Sequence, residues 1–180
     1  MARYRGVMTA TIRRATQSDA PALGALHSSI WAELYPKDLP ADVLAQLNPG
    51  YMEHLWTKFT SRGEAYRQWV AVVGEEIVGF IGTGPGRDTD ATPDDSEIYF
   101  LYVTPAHRKT GIGSALLAAA DPTYVWVWEQ FKGTRKFYAA EGFAPEIVLA
   151  TRGRGPRTRV GVLFGSAYQT EFKLKRPHAA

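Results

Sequence analysis

The sequence contains no cysteine. Without a thiol the chain can form no disulfide, no thiolate zinc site and no cysteine nucleophile, which excludes several enzyme mechanisms at once. A chain without thiols also suits a reducing compartment. We therefore expect a cytoplasmic protein, and we expect no bound metal.

Long apolar runs are also missing. The longest, Ala115 to Ala120, is far shorter than the roughly 18 residues that a membrane span needs. Near the N-terminus, Arg13 and Arg14 interrupt the chain before an apolar stretch long enough for a signal peptide can form. The sequence therefore predicts no transmembrane helix and no membrane partner.

Charge is distributed unevenly along the chain. Residues 1–150 carry 14 Lys and Arg against 17 Asp and Glu, whereas residues 151–180 carry 7 against 1. The net charge of +3 hints at nucleic acid, but the excess belongs to the last thirty residues alone. No nucleic-acid reading element accompanies it, so a nucleic-acid binder ranks last among the functions considered, and we expect no nucleic-acid partner.

The 180 residues, 45% of them hydrophobic, are typical of one globular domain with one core. We expect this domain at residues 10–177, after a flexible extension at 1–9 and before a tail at 178–180. Periodicity and turn residues predict an α/β (α+β) order of β, α, α, β, β, β, α, β, α, β, β. The predicted helices are Ser18–Leu34, Ala41–Leu47 resuming at Met52–Phe59 after an "NPG" break, Ile112–Ala120, and Thr134–Glu141 with Gly142 as its C-cap. The predicted strands include Thr11–Arg14, Gln68–Val73, Ile77–Thr83, Glu97–Val103, Thr123–Trp128 and a terminal strand with one buried face, Tyr168–Lys175.

The most informative segment joins a strand to a helix and reads Arg108, Lys109, Thr110, Gly111, Ile112, Gly113. Its two glycines allow a ligand close to the backbone, and the helix start directs N–H groups and the positive end of the dipole at that ligand. The segment is neither a P-loop nor a dinucleotide fingerprint. Taken alone, it predicts a phosphate site or an ordinary turn.

The stretch "LYVTPAHRKTGIGSALL" followed by "FYAAEGF" resembles the GNAT acetyltransferase superfamily. The resemblance implies a GNAT-like fold, a mixed central sheet with helices on both faces, and acetyl-CoA as cosubstrate. It further implies that the backbone of Arg108, Lys109, Thr110, Gly111, Ile112, Gly113 and Ser114 holds the coenzyme diphosphate. The strand residues Leu101, Tyr102 and Val103 would bind the pantetheine arm.

The same resemblance suggests the acid and the base of the reaction. Tyr138 matches the position that often protonates the departing thiolate, a task that suits a phenol with a pKa of about 10; the alternative is that it only packs with Phe137. Glu97 opens the coenzyme strand and is our preferred base, the alternatives being a solvated glutamate or proton loss through water. His107 could also serve, but we expect it to cap the loop or contact phosphate.

One residue departs from the family pattern. Phe131 stands where relatives usually have an asparagine that helps to hold the coenzyme. The sequence therefore keeps two functions open. The first is direct acetyl transfer to a primary amine of a small molecule or peptide, without an acyl-enzyme because there is no cysteine. The second is an acyl-CoA-binding sensor that has lost catalysis.

The acceptor side is less defined. Asp88, Asp90, Asp94, Asp95 and Glu97 precede or open the coenzyme strand with only Arg87 opposing them, so they would either attract a cationic amine or form a solvated loop. Trp31, Tyr35 and Tyr51 would line the acceptor pocket or the core. The basic tail would screen coenzyme phosphates or remain solvated, and an exposed terminal strand would allow a homodimer. Polyamines, aminoglycoside-like compounds, amino acids and protein N-termini all remain candidate acceptors.

Overall fold

The computed structural model describes residues 9–37, 39–150, 153–163 and 166–176. Most of the predicted extension at 1–9 and the whole tail at 178–180 lie outside these ranges. The helices are α1 (Ala20–Leu34), α2 (Ala41–Gln46), α3 (Pro49–Thr60), α4 (Ile112–Ala120) and α5 (Lys132–Ala140). The strands are β1 (Thr11–Arg14), β2 (Arg67–Val73), β3 (Glu76–Pro85), β4 (Ser96–Val103), β5 (Tyr124–Trp128), β6 (Ala144–Pro145), β7 (Ile147–Ala150), β8 (Gly153–Pro156), β9 (Thr158–Leu163) and β10 (Ser166–Lys175).

The central sheet has the strand order β1-β2-β3-β4-β5-β10-β6, and β9 also pairs with β10. Every pairing in it is antiparallel except that of β4 with β5. The strands β7 and β8 form a separate two-stranded hairpin. The sheet is therefore mixed, as predicted.

Helices cover both faces of the sheet, as predicted. On one face, Leu116 and Leu117 of α4 pack with Ala71 and Ile81 in the largest core cluster. On the other face, Leu23 of α1 and Trp56 of α3 pack with Val70 and Phe80. Neighbouring strand residues point to opposite faces, so β2 and β3 need apolar side chains at consecutive positions.

The segment "NPG" was expected to separate two helical stretches. In the structure it forms the N-cap and first turn of α3. Asn48 caps α3 through its side chain, which accepts from the Tyr51 amide at 3.0 Å, and Pro49 occupies the first turn. Asn at the N-cap and Pro just inside the helix are favoured positions for both residues. At the end of α5, Gly142 has the positive φ of +86° expected of a residue that terminates a helix.

The C-terminal region differs most from the prediction. Among the described residues, five strands follow α5 where two were expected. Strand β10 pairs with β5 on one side, at residues 171–175, and with β9 and β6 on the other, so it is not the exposed edge strand that was expected. Its charged residues Glu171 and Lys173 are buried, so the expectation of one buried apolar face was wrong.

Among the residues described, no helix combines the length and the apolar composition needed to cross a bilayer.

Candidate active site

A cleft opens where β4 and β5 separate. The two strands pair only at Glu97 with Tyr124 and Ile98 with Val125, and a bulge in the pairing of β3 with β4 follows, at Tyr99. Beyond this point the strands diverge and enclose a cleft of about 880 Å³. That volume lies in the usual range for small-molecule sites.

The strand side of the cleft is formed by Leu101, Tyr102 and Val103. All three are half-buried and line the cleft, and their other edge pairs with residues 79–81 of β3. In the described sheet, β4 has no strand partner on its β5 side past Ile98. Its main chain can therefore bind an extended ligand there by adding hydrogen bonds as a strand would.

The loop before α4 has the geometry of an anion site. Lys109 and Gly111 adopt positive φ values of 60° and 87°, and the Ala115 amide donates to the Gly111 carbonyl at 2.9 Å. The amides of Ile112, Gly113 and Ser114 precede that first helical bond and have no partner within the helix. A Cβ atom at Gly111 would meet nothing within 4 Å, so the loop is open to a ligand. These features fit a phosphate group.

The side chains of this loop bind the protein itself. Arg108 donates from Nε to the Val103 carbonyl at 3.0 Å, and Thr110 donates to the His107 carbonyl at 2.6 Å. The His107 ring is hydrogen-bonded to the Thr104 hydroxyl at 2.9 Å, so it caps the loop. Ser114 donates to Glu141 at the end of α5. The loop is thus held from several sides while its amides remain available to a ligand.

Tyr138 lies on the cleft wall and is 4% exposed. Its ring makes edge-to-face contacts with Phe137 and Phe143. Burial, followed by the proximity of Tyr35, raises the pKa of its hydroxyl, so the phenol stays protonated at neutral pH. The position suits both proton donation and packing.

Glu97 has a different environment from Tyr138. Its side chain is completely buried and is not part of the cleft lining, so a solvated glutamate is the wrong description. The carboxylate accepts from Arg87 Nη2 at 2.6 Å and Nε at 3.2 Å, from the Arg87 amide at 2.9 Å and from the Tyr124 hydroxyl at 3.0 Å. Glu97 therefore fixes Arg87, which does line the cleft.

Most of the acidic loop is paired within the protein, which differs from both expectations for it; the exception is Asp94, which is exposed and has no ion pair among the described residues. Asp88 and Asp95 are largely buried and pair with Lys173 at 2.8 Å and Lys175 at 3.3 Å. Asp90 binds Arg157 at 2.7 Å. Residues of the basic C-terminal segment therefore neutralise this loop, and Arg87 is not its only counterion.

The same pairing revises the expectation for the basic segment. Arg157 binds Asp90 and Glu146, and Arg159 binds Glu171 at 2.6 Å. These guanidinium groups are satisfied by the protein's own carboxylates, so they neither screen a coenzyme nor remain solvated. Arg152 lies outside the described residues.

Aromatic rings form a large part of the remaining wall. Trp31, Tyr35 and Tyr51 line the cleft, and the Tyr35 hydroxyl lies 2.9 Å from that of Tyr102. Sequence reasoning missed Trp126 and Trp128, which also line it. Their alternation with valine in "TYVWVW" was the available signal, because alternate residues of a strand share a face.

Phe131 stacks on Trp128, with ring centroids 5.4 Å apart and planes inclined by 11°. It lines the cleft at the start of α5. The position where relatives usually have an asparagine is thus part of the aromatic wall. In the described ranges, no group of three or more His, Asp or Glu side chains is arranged to hold a metal ion.

Comparison with known proteins agrees with this geometry. Residues 64–145 match the model of the acetyltransferase (GNAT) domain family. The chain is 29% identical over 150 residues to the uncharacterized N-acetyltransferase YuaI of Bacillus subtilis, covering 77% of this chain and 81% of that protein. It is 27% identical over 140 residues to a Mycobacterium tuberculosis protein named as an N-acetyltransferase, Rv2775, with 73% and 78% of the two chains covered.

The fold has close counterparts among solved structures. The PaiA N-acetyltransferase of Thermoplasma acidophilum, solved in complex with coenzyme A, superposes with a TM-score of 0.66 at 18% identity and covers 93% of this chain and 99% of its own. The family model is that of the GNAT acetyltransferases and both relatives are named N-acetyltransferases, so the comparisons support a GNAT superfamily N-acetyltransferase.

Proposed function

We propose that the protein transfers an acetyl group from acetyl-CoA directly to a primary amine of a small molecule or peptide. The observation that carries this proposal is the position of Tyr138 on the wall of the cleft between β4 and β5, next to a strand edge and an open anion-binding loop. The amides at the start of α4 would hold the diphosphate, and Leu101, Tyr102 and Val103 would hold the pantetheine arm. Acetyl-CoA supplies the activated thioester.

The chain's own residues then carry the proton transfers. Tyr138 gives its proton to the departing thiolate, because its phenol is held protonated in a buried position. A main-chain N–H of β4 polarises the thioester carbonyl, as in an oxyanion hole. Absence of cysteine from the sequence favours attack by the amine itself over an acyl-enzyme.

For the base we retain Glu97 as a proposal. Because its carboxylate is buried and bound to Arg87 and Tyr124, the proton of the amine would reach it through water. Glu97→Gln keeps an oxygen acceptor at this position and should lower the rate of acetyl transfer without lowering the affinity for acetyl-CoA. An unchanged rate would remove Glu97 from the mechanism.

Two measurements test the proposed function. Acetyl-CoA should raise the melting temperature, because a ligand that binds only the folded state stabilises it. Incubation with acetyl-CoA and a panel of amines should then release free CoA thiol. If acetyl-CoA produces no thermal shift, the proposed function is wrong.

A second function, an acyl-CoA-binding sensor without catalysis, is favoured by one observation. Phe131 replaces the usual asparagine and is stacked on Trp128, so it offers the coenzyme no polar group. A thermal shift with acetyl-CoA, combined with no thiol release by any amine of a broad panel, would support the sensor.

A further inference from the structure

Apart from the proposed pantetheine-binding residues Leu101, Tyr102 and Val103, the cleft wall is rich in aromatic side chains. Indole, phenol and phenyl groups from α1, α3, β4 and β5 face the same space; they belong to Trp31, Tyr35, Tyr51, Phe100, Trp126 and Trp128. Rings of this kind bind apolar or aromatic groups and contribute little to the binding of a highly hydrated ligand. The acceptor should therefore have an apolar body.

The charged groups of the cleft are mostly positive. Glu171 is the one carboxylate among the described residues that line it, whereas four arginines line it: Arg62, Arg87, Arg108 and Arg159. Glu171 already accepts from Trp128 Nε1 at 3.0 Å and from Arg159 Nε at 2.6 Å. A polycationic acceptor would find no free carboxylate here, so charge complementarity favours an acceptor that carries a negative group.

Arg62 differs from the other three arginines. Arg87 and Arg159 are bound to carboxylates, and Arg108 donates to a carbonyl. Within the described part of the chain, Arg62 has no carboxylate at ion-pair distance. Its guanidinium is exposed and lies over the rings of Phe59 and Tyr66, 5.3 Å and 4.7 Å from their centroids. A stacked guanidinium is held in place while its N–H edge stays free to bind a carboxylate.

Arg62 lies at the rim of the cleft, near the point where β4 and β5 separate. Tyr66, over which Arg62 lies, has its ring 6.4 Å from that of Tyr99. Tyr99 occupies the bulge of β4 where the cleft begins. A carboxylate bound by Arg62 is therefore on the acceptor side of the cleft, beyond the strand residues that would hold the pantetheine arm.

We propose that the acceptor is an α-amino acid with an aromatic or large apolar side chain, whose carboxylate binds Arg62 and whose side chain binds the aromatic wall. This inference rests on the proposed acetyl transfer. It narrows the substrate class to amines with a neighbouring carboxylate and disfavours polyamines, aminoglycoside-like compounds and protein N-termini.

The test compares phenylalanine, phenylalaninamide and spermidine as acceptors, with CoA thiol release as the readout. Phenylalaninamide has the same ring and amine but no carboxylate, and its less basic amine should react more readily if the carboxylate were irrelevant. We expect kcat/KM to be highest for phenylalanine. A value for phenylalaninamide or spermidine equal to or above that for phenylalanine would overturn the inference.

Arg62→Gln supplies the matched variant. It should raise the KM for phenylalanine by about tenfold, the factor that corresponds to 1.4 kcal/mol, and leave the value for phenylalaninamide unchanged. Arg14→Gln is the control, since Arg14 is an exposed arginine over the Trp69 ring that lies outside the cleft. Equal effects of Arg62→Gln on both acceptors would also overturn the inference.

The two proposals fail in distinguishable ways. Acetyl-CoA binding with thiol release by spermidine alone would overturn the inference and leave the proposed function intact. No thermal shift with acetyl-CoA would overturn both.

Discussion

The Nζ atom of Lys173 lies 2.8 Å from Oδ2 of Asp88, and the two side chains are only 4% and 6% exposed. The contact is an ion pair without the geometry of a directed hydrogen bond. It joins strand β10 to the loop after β3, and Arg157 and Arg159 extend it to Asp90 and Glu171. The basic C-terminal segment and the acidic loop thus form one internal charge network, which is why the net positive charge does not indicate a polyanionic partner.

Removing one member of the buried pair should destabilise the fold. Lys173→Met leaves the buried Asp88 with only the more distant guanidinium groups of Arg159 at 3.5 Å and Arg157 at 3.8 Å. Removing one partner of a buried pair costs up to about 3–5 kcal/mol. Urea unfolding should therefore show a clearly lower midpoint. Adding Asp88→Asn to this variant removes the carboxylate charge that has lost its nearest partner, and it should recover part of the loss.

An exposed ion pair provides the control for this prediction. Asp121 binds Arg176 at 2.9 Å with 76% of its side chain exposed, and such pairs contribute roughly 0–1 kcal/mol. Asp121→Asn also suits the left-handed backbone at this position. If Lys173→Met is no more destabilising than Asp121→Asn, the network does not support the fold as argued.

The charge network also shows which part of the fold could not be predicted from the sequence. The elements as far as β5 follow from apolar periodicity and turn residues, and α4 has the predicted limits. In β10, however, Glu171 and Lys173 stand at alternate positions typical of an exposed face, and yet both are buried. Their burial depends on partners from other elements of the fold: Asp88 binds Lys173, and Trp128 and Arg159 bind Glu171. Periodicity within one segment carries no information on such partners.

Gly111 should be required for coenzyme binding. Its φ of +87° is unfavourable for any residue with a Cβ atom, although there is space for one. Gly111→Ala should therefore distort the loop and weaken acetyl-CoA binding by about tenfold or more, that is, by at least 1.4 kcal/mol. Isothermal titration calorimetry would measure this loss.

Gly142 is the matched control, because it has a φ of +86° and open space around its Cβ position. Gly142→Ala should lower the melting temperature to a similar extent without changing the affinity for acetyl-CoA. Equal affinities for the two variants would contradict the assignment of the loop at 108–114 as the phosphate site.

Tyr138→Phe separates catalysis from packing. The phenyl ring can keep the contacts with Phe137 and Phe143, so the melting temperature and the affinity for acetyl-CoA should not change. Loss of a general acid typically lowers turnover by about 10²–10⁴-fold, and single-turnover measurement of thiol release would detect this. An unchanged rate would show that Tyr138 only packs.

The candidate site, too, was only partly predictable. The glycine loop and Tyr138 belong to a local motif that can be read along the chain. The surroundings of Glu97 are not local, because the loop after β3 and strand β5 supply its partners Arg87 and Tyr124. The position of Arg62 is not local either, because it depends on how the end of α3 packs against β4, where Phe59 contacts Phe100. Reasoning from local sequence therefore proposed Glu97 as the base, with a solvated glutamate as the alternative, but did not predict its burial against Arg87 and Tyr124. It did not identify Arg62 at all.

His27 should make the fold sensitive to mild acid. It is 2% exposed, its ring lies 5.0 Å from Phe80 and 5.2 Å from Phe100, and neither ring nitrogen has a hydrogen-bond partner among the described residues. Burial lowers its pKa from 6.5 to about 3. Between these values the unfolded chain binds a proton that the folded chain does not, so stability falls as the pH decreases through this window.

The expected size is about 1.4 kcal/mol per pH unit, or roughly 2 kcal/mol between pH 7 and pH 5. His27→Leu should remove this loss and should be at least as stable as the wild type at pH 7, because it replaces a buried polar group without partners.

Asp19, whose pKa is lowered to about 2 chiefly by its hydrogen bonds with Arg13, loses its contribution to stability only below about pH 4, outside this range. His54→Leu, at an exposed position of α3, is the control. Urea unfolding at pH 7 and pH 5 measures the decrease in the free energy of unfolding. An equal decrease for the wild type and His27→Leu would mean that His27 is not the acid-sensitive group.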